Sequence, residues 1–519
     1  MKKYILSAFG VAALLFTQSC KTDFDNDVTD VVVTKGEADF SKYVALGNSL
    51  TSGYRDNALY IDGQNESYPL MLAGQMKLAG GGDFKQPLMA DNLGGIPSLG
   101  VTNKKILAIV NGALTPIDAP GTGTTTLANI YSAGPYQNMG VPGAKLAHLI
   151  APGYGSPAGV IAGTANPYFV RFASSATTSV VADAMAQNPT FVSLWIGNND
   201  VLGYATTGGD GSNPITPADG AVGVGFKNTY DYLANTLFPA NTTRKGVVAN
   251  IPNVTSIPFF TRVPYNPIPP EKFNTAAIGS PSNANANIDA LNTQVFGPLK
   301  QILTAAGQGD RIKLLSKTES NPILLKDESL NDFSSFITTQ LTAAGVPTLQ
   351  ATLMGQLFGK ARHTTNKDLI PLTTSSVLGT TPGSPVFAPF DKYGLTYPLE
   401  DKHVLRGKFG TTDGEVEEVL DATAIFNVKI KEVADAKNLA FVDMNAKMNE
   451  LASNSGISWN GVKYTATFVT GGTFSLDGVH LTGRGYAIVA NEFIKAINAK
   501  YKSNLPQVDP NKYSGVKFP

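Results

Sequence analysis

The most informative part of the sequence is the stretch YVALGNSLTSG at residues 43–53. Four apolar or aromatic residues run into a turn rich in Gly and Ser, which is typical of a buried strand that ends in a loop. Two later runs have the same form: FVSLWI at 191–196 ends in GNND, and KGVVANI at 245–251 ends in Pro-Asn. Such continuously apolar runs indicate parallel strands that are covered on both faces.

The C-terminal part of the chain alternates between helix and strand patterns. Apolar residues recur with helical spacing from Glu415 to Ala436, and LAFVD at 439–443 follows as a strand. Thr482 is placed to cap a further helix that runs to about Lys500. Together these patterns predict an α/β fold with a mostly parallel sheet.

Composition supports a globular protein. Of 519 residues, 43% are hydrophobic and 15% are charged, which is enough apolar material for a large core. Basic and acidic residues each number 40. Loss of Lys2 and Lys3 with a signal segment leaves 38 basic and 40 acidic residues. This near-neutral balance argues against a nucleic-acid partner.

Two long stretches, roughly 79–136 and 259–410, lack the helix and strand pattern of the rest and are predicted to be insertions. The second contains helical patches at 288–305 and 336–358 and could form a subdomain or a lid. It also carries apolar side chains that either bind acyl chains or pack the insertion's own core: Phe259, Phe260, Tyr265, Phe387 and Phe390.

The N-terminus has the features of a secretion signal. Lys2 and Lys3 precede an apolar run of 12 residues, which is shorter than the roughly 20 residues needed to cross a bilayer. The only Cys of the chain, Cys20, ends this segment and resembles the lipobox of bacterial lipoproteins, although Thr17 stands where that pattern usually has Leu. The resemblance implies that Cys20 is acylated and attaches the protein to a membrane. Ordinary signal cleavage, with Cys20 as a free thiol, is the alternative.

A polar and acidic segment, KTDFDND at 21–27, follows Cys20 and is predicted to be a flexible tether. It resembles the export signals of Bacteroidetes surface lipoproteins, which implies a cell-surface location on the outer membrane. The acidic spacing does not complete a calcium loop, because neither the Gly nor the distal Glu of an EF-hand is present. The predicted organisation is a signal peptide at 1–19, the acylated Cys and tether at 20–40, the main domain at 41–505 and a tail at 506–519.

One of the four histidines stands out as a candidate catalytic base. His148, His363 and His403 lie in contexts that favour surface or structural roles. His480 instead follows Asp477 by three residues, directly before the capped helix, so that one turn can hold both side chains. A carboxylate that accepts the Nδ1 proton of a histidine leaves Nε2 free to take a proton from a hydroxyl group.

Ser49 is the candidate nucleophile. It lies in the tight turn after the first strand, where a hydroxyl is exposed at the edge of a sheet, and no serine in the chain has the G-x-S-x-G pattern. The GNND segment at 197–200 also follows a strand and offers an Asn amide at the same edge. Such an amide can stabilise the negative charge that develops on a carbonyl oxygen.

Four blocks of the sequence, taken in order, resemble the SGNH/GDSL hydrolases: GNSLTSGY at 47–54, NMGVPGA at 138–144, GNND at 197–200 and DGVH at 477–480. The resemblance implies that Ser49 is the nucleophile and that Asp477 and His480 complete a triad. It also implies an oxyanion hole made of the Ser49 N–H, the Gly143 N–H and the Asn199 side chain, with Gly140 as a near alternative to Gly143.

The resemblance covers about half of the chain, residues 41–78, 137–258 and 411–500. It implies a three-layer α/β/α, flavodoxin-like sandwich. Asn48 replaces the Asp of the family motif, which is not itself a catalytic group, so little loss is expected. Over its whole length the chain is similar to Bacteroidetes lipoproteins with large insertions.

These observations lead to one expected function and two alternatives. We expect a serine ester hydrolase that acts on acyl or lipid esters and requires neither a metal nor a cofactor. A carbohydrate O-acetyl esterase would use the same residues on a different substrate. A non-enzymatic accessory lipoprotein, paired with an outer-membrane β-barrel, would instead use the insertions as docking surface.

Overall fold

The computed structural model describes residues 32–208, 214–273, 283–383 and 389–519. The predicted signal segment, Cys20, the acidic segment and Phe387 lie outside these ranges. Within them, no helix is long and apolar enough to cross a membrane.

A five-stranded parallel sheet forms the centre of the protein. The strands of the described chain are β1 (Tyr43–Gly47), β2 (Lys105–Val110), β3 (Ala113–Asp118), β4 (Asn138–Gly140), β5 (Phe191–Trp195), β6 (Lys245–Ala249), β7 (Leu324–Lys326), β8 (Ala361–His363), β9 (Ala440–Val442), β10 (Ile457–Trp459) and β11 (Val462–Tyr464). The order in the sheet is β4-β1-β5-β6-β9, and every pair in it is parallel. The predicted α/β fold with a parallel sheet is therefore confirmed.

Helices connect and cover these strands. In the described chain they are α1 (Ser49–Ser52), α2 (Ile61–Asn65), α3 (Tyr68–Leu78), α4 (Leu146–Ile150), α5 (Pro167–Val170), α6 (Val180–Ala186), α7 (Asn199–Thr207), α8 (Phe226–Leu237), α9 (Pro258–Thr261), α10 (Ala284–Leu291), α11 (Gly297–Ala305), α12 (Ser334–Ala343), α13 (Thr348–Phe358), α14 (Glu415–Ala436), α15 (Met444–Ala452) and α16 (Gly483–Tyr501). Helix α14 has the predicted bounds. Helix α16 starts where predicted, because the Thr482 hydroxyl accepts a hydrogen bond from the Gly485 N–H at 3.2 Å.

Two aromatic contacts show how the helices pack around the sheet. Phe226 of α8 stacks on Phe426 of α14 with ring centroids 3.9 Å apart. Tyr68 of α3 stacks on Phe493 of α16 at 4.9 Å. All four rings are buried in the same large hydrophobic core as the strands.

The first insertion contains a hairpin that was not predicted from the sequence. Strands β2 and β3 pair antiparallel, and Asn111 and Gly112 between them have φ angles of 51° and 78°. Asn-Gly is a strong signal for a two-residue hairpin turn, because both residues tolerate positive φ. The expectation that 79–136 lacks regular strands was therefore wrong.

The second insertion has a hydrophobic core of its own, separate from the core around the sheet. The predicted helical patch at 288–305 is present, but its middle is a π-helical segment, Asn292–Phe296. The patch at 336–358 is divided into α12 and α13, since Gly345 has a positive φ of 87° and Pro347 has no N–H to continue a helix. Phe260 and Phe390 are buried, at 1% and 2% exposure.

The end of the predicted tether is not free. The Thr34 N–H donates to Asn504 Oδ1 at 2.5 Å, the Glu37 N–H donates to the Tyr501 carbonyl at 2.7 Å, and Phe40 is buried in the main core. Burial of apolar surface offsets the entropy lost when the chain is ordered. Residues 34–40 of the described chain are therefore in contact with the main domain.

Candidate active site

The turn after β1 places Ser49 at the carboxyl end of the sheet. Gly47 ends the strand, and a Cβ on it would lie 2.1 Å from Thr51 Oγ1 and 2.5 Å from the Trp195 carbonyl, so only glycine fits. Asn48 Oδ1 then accepts the Leu50 N–H at 3.1 Å and caps the short helix α1. As a result the chain turns sharply at Ser49, which is 8% exposed.

Ser49, His480 and Asp477 form one hydrogen-bonded chain. Ser49 Oγ lies 2.8 Å from His480 Nε2, although the two residues are 431 positions apart in sequence. His480 Nδ1 lies 2.8 Å from Asp477 Oδ2. When Nδ1 donates to the carboxylate, Nε2 is the acceptor for the Ser49 hydroxyl, which is the arrangement of a nucleophile, a base and a group that orients the base.

The Asp477 carboxylate is held by several donors besides His480. Oδ1 accepts the N–H groups of Val479 and His480, at 2.9 and 2.8 Å, and the Ser475 hydroxyl at 3.1 Å. Oδ2 also accepts the Asn57 N–H at 2.9 Å. Burial by itself raises the pKa of Asp477, but the charge of His480 and these hydrogen bonds bring the pKa well below its usual range. The carboxylate is therefore ionised at neutral pH.

The Tyr54 ring packs against the His480 ring. The two ring centroids are 4.6 Å apart, and the Tyr54 hydroxyl donates to the Asn57 carbonyl at 2.7 Å. Burial raises the pKa of Tyr54, so that it remains a neutral hydrogen-bond donor. The sequence match already included Tyr54 but gave it no role. Asn57 and Ser475 were missed, and the only signal for Asn57 is that Asn tolerates its positive φ of 64°.

The second insertion contacts the turn that carries Asp477 and His480. The Phe259 N–H donates to the Gly478 carbonyl at 2.9 Å. Gly478 has a φ of 70°, and a Cβ on it would lie 3.0 Å from the Phe259 nitrogen. This close approach requires glycine at 478 and fixes the base of the insertion beside the site.

The second and third sequence blocks both contact the turn that carries Ser49: the Val141 N–H donates to the Gly47 carbonyl at 3.0 Å, and Asn48 Nδ2 donates to Asn198 Oδ1 at 3.3 Å. Asn199 Nδ2 donates to the Ala144 carbonyl at 2.9 Å, which brings the third sequence block against the second and leaves one amide hydrogen of Asn199 for another acceptor. The N–H groups of Ser49 and Gly143 donate to no acceptor in the described part of the chain. The Gly140 N–H already donates to Asn138 Oδ1 at 3.0 Å, which favours Gly143 over Gly140 as an oxyanion donor.

Asp200, the last residue of the third block, has a structural role. It is fully buried and accepts the Leu146 N–H at 2.9 Å and the Thr216 hydroxyl at 2.7 Å. Burial raises the pKa of Asp200 to about 6. Asp200 therefore ties the start of α4 to the loop at Thr216.

The other histidines are held by contacts in their own regions. His148 Nδ1 accepts the Lys145 N–H at 3.1 Å, and its ring stacks on Tyr154 at 4.8 Å. His363 Nδ1 accepts the Lys313 N–H at 3.0 Å, and burial lowers the pKa of His363 to about 3. The His403 carbonyl accepts the Thr374 hydroxyl at 2.7 Å, and burial lowers the pKa of His403.

No group of three or more His, Cys, Asp or Glu side chains in the described ranges is placed to hold a metal ion. A scan against protein-family models, a search of curated proteins and a search of solved structures each found no match.

Proposed function

We propose that this protein is a serine ester hydrolase of the SGNH/GDSL type. The observation that carries the proposal is the chain Ser49–His480–Asp477, in which both hydrogen bonds measure 2.8 Å. Both distances lie within the range expected for a nucleophile and its general base. The four sequence blocks support the same conclusion, and so do the N–H groups of Ser49 and Gly143, which have no acceptor among the described residues.

In the first step, Ser49 Oγ attacks the ester carbonyl carbon while its proton passes to His480 Nε2. The carbonyl oxygen becomes an anion that the N–H groups of Ser49 and Gly143 and the Asn199 amide stabilise. The tetrahedral intermediate then collapses, the C–O bond to the alcohol breaks, and His480 gives its proton to the departing alcohol oxygen. An acyl ester on Ser49 remains.

In the second step, water takes the place of the alcohol. His480 accepts a proton from the water as the water oxygen attacks the acyl carbon. Collapse of the second intermediate returns the proton to Ser49 Oγ and releases the carboxylic acid. Throughout both steps, Asp477 keeps Nδ1 protonated and balances the charge of the imidazolium.

The proposal includes the three-layer α/β/α sandwich of this family. Helices α3 and α16 pack against each other, while α14 packs against α7 and α8, and α4 packs against α6 and α8. Two helix groups around one parallel sheet support a layer on each face. We also propose that a lipid on Cys20 attaches the protein to the outer membrane, at the cell surface.

A second candidate is the accessory lipoprotein that partners an outer-membrane β-barrel. The observation that favours it is the separate hydrophobic core of the second insertion, which makes this region a sizeable folded unit. Purification of the full chain in detergent from native membranes tests it. A stoichiometric barrel partner would support an accessory role, and a protein that elutes alone would count against it.

Labelling with a fluorophosphonate tests the hydrolase proposal directly. The full chain in detergent is compared with Ser49→Ala and His480→Ala, and with Ser98→Ala as a control at an exposed serine. We expect labelling of wild type and Ser98→Ala, and none of the other two. Labelling that persists in Ser49→Ala, or folded wild type that takes no label, would overturn the proposal.

A further inference from the structure

An apolar groove with a volume of about 80 Å³ lies beside the candidate active site. Leu50, which follows the nucleophile, and Val479, which precedes the base, both line it. Trp195 contributes from the end of β5, and Ile257 from the segment after β6. The groove therefore adjoins the turns that carry Ser49 and His480, at the carboxyl edge of the sheet.

The outer walls come from elements that follow β9. Met448 of α15, Ile457 of β10 and Ile488 of α16 line the groove together with neighbouring apolar residues. Methionine side chains are flexible and adapt to ligands of different shape. These walls suit a flexible hydrocarbon chain.

The few polar side chains that line the groove already have partners. Lys447 Nζ contacts Glu450 Oε2 at 2.6 Å and Glu492 Oε1 at 3.5 Å. The Thr473 hydroxyl donates to the Thr465 carbonyl at 2.6 Å. The indole N–H of Trp195 donates to the Asn250 carbonyl at 3.0 Å. A sugar in this groove would lose its hydrogen bonds to water and gain none from side chains, which is costly.

We propose that this groove binds the acyl chain of the substrate, so that the enzyme prefers esters of medium-length fatty acids to acetyl esters. The inference rests on the proposed function, because it takes Ser49 as the nucleophile. Burial of each methylene group contributes about 0.8 kcal/mol, which corresponds to about a fourfold rise in kcat/KM for each methylene added. The rise stops where the chain fills the groove.

The test measures kcat/KM for nitrophenyl esters from acetyl through butyryl and hexanoyl to octanoyl. Wild type is compared with Ile457→Asp, which places a charge in the groove wall. Val462→Asp is the matched control, because Val462 lies on the neighbouring strand of the same hairpin, is 38% exposed and does not line the groove. Met448→Trp, which fills the groove instead of charging it, is a second variant.

For wild type and Val462→Asp, we expect kcat/KM to rise about fourfold per methylene from acetyl to hexanoyl. Ile457→Asp and Met448→Trp should lose this rise, so that kcat/KM changes little from the acetyl to the hexanoyl ester. Acetyl preference in wild type, or a rise that survives both substitutions, would overturn the groove as the acyl site. Ser49-dependent hydrolysis would then still stand, whereas failure of both hydrolysis and fluorophosphonate labelling would overturn the proposed function itself.

Discussion

The region around the sheet and the second insertion are stabilised in different ways. Around the sheet, strands such as β1 and β5 are buried along their whole length within a large apolar cluster. The insertion also has an apolar core, but a cluster of buried charges lies beside it. Arg362, with no side-chain exposure, contacts Asp327 at 2.6 Å and Asp368 at 2.8 Å.

This charged cluster continues from the insertion to the rest of the protein. Arg406 contacts Asp327 and also Glu415, the first residue of α14. Burial raises the pKa of Glu415 to about 7 despite its ion pair with Arg406. Buried charges are stable only while every partner is present, so that they fix one specific arrangement.

The difference indicates a division of roles. In the proposed function, the sheet region contributes the chemistry, because Ser49, Gly143 and Asn199 follow strand ends. The insertion contributes a surface beside the site, through the contact between Phe259 and Gly478. Substitutions in the two regions should therefore have separable effects, on turnover in one and on local stability in the other.

The largest effect should come from Asp477→Asn. The amide cannot balance an imidazolium and favours the wrong His480 tautomer, so kcat should fall about 10⁴-fold. Ester turnover measures the loss, and circular dichroism checks the fold. Asp83→Asn, at an aspartate whose side chain is 95% exposed, is the control and should match wild type. A loss of less than about tenfold would contradict the assignment of Asp477.

Arg362→Met should destabilise the insertion without removing the chemistry. It leaves Asp327 and Asp368 buried without this partner, which typically costs about 3–5 kcal/mol. Hydrogen exchange should show faster opening around β7 and β8, while the rate on an acetyl ester stays within about twofold. Arg262→Met, at an exposed arginine near the start of the insertion, is the control. Equal loss of protection in β1 and β5 would show that the two regions unfold together.

Asn199→Ala should reduce turnover and leave the fold intact. Loss of one oxyanion donor typically lowers kcat by about 10²- to 10³-fold. Asn228→Ala is a matched control, because Asn228 is exposed and its side chain also donates to a backbone carbonyl, that of Gly220, at 2.6 Å. A wild-type rate for Asn199→Ala would mean that this amide only supports the Ala144 turn.

Asp200→Asn should change how stability depends on pH. Since the pKa of Asp200 is about 6 in the folded protein and 3.8 as its ordinary value, its contribution to folding is present below pH 3.8 and is lost as the pH rises through 6. This loss amounts to about 3 kcal/mol. Urea unfolding at several pH values from about 4 to about 7 should show a shallower decline for Asp200→Asn than for wild type. If stability declines equally with pH in wild type and in Asp200→Asn, Asp200 does not ionise with a raised pKa in the folded protein.

Much of the sheet region could be predicted from sequence, since its elements carry strong local signals. β1, β5 and β6 are mostly apolar runs, α14 has helical spacing, and α16 has a cap at Thr482. The insertions were harder to predict. In the first insertion, the β2–β3 hairpin carries an Asn-Gly turn but was not predicted. In the second, β7 and β8 have three residues each, and the π-helical segment depends on packing that local spacing does not encode.

The candidate site, too, could be predicted only in part from the sequence. The candidate catalytic residues could be predicted, because Ser49 lies in a turn at the end of a strand and Asp477 precedes His480 by three residues in a second turn. Asn57 and Tyr54 were not recognisable as partners of that turn, since contacts between segments hundreds of residues apart leave no local pattern. Ser475 lies only two residues before Asp477 and was missed, although its hydroxyl donates to the Asp477 carboxylate within the same turn.

Local sequence patterns thus determined the strands, the helix caps and the glycine turns, because backbone sterics and apolar periodicity act over a few residues. The meeting of Ser49 with His480, the choice of Gly143 over Gly140 as an available donor, and the apolar groove beside them came from long-range packing. Strand order and core burial determine which distant segments share one edge of the sheet, and no short stretch of the chain carries that information.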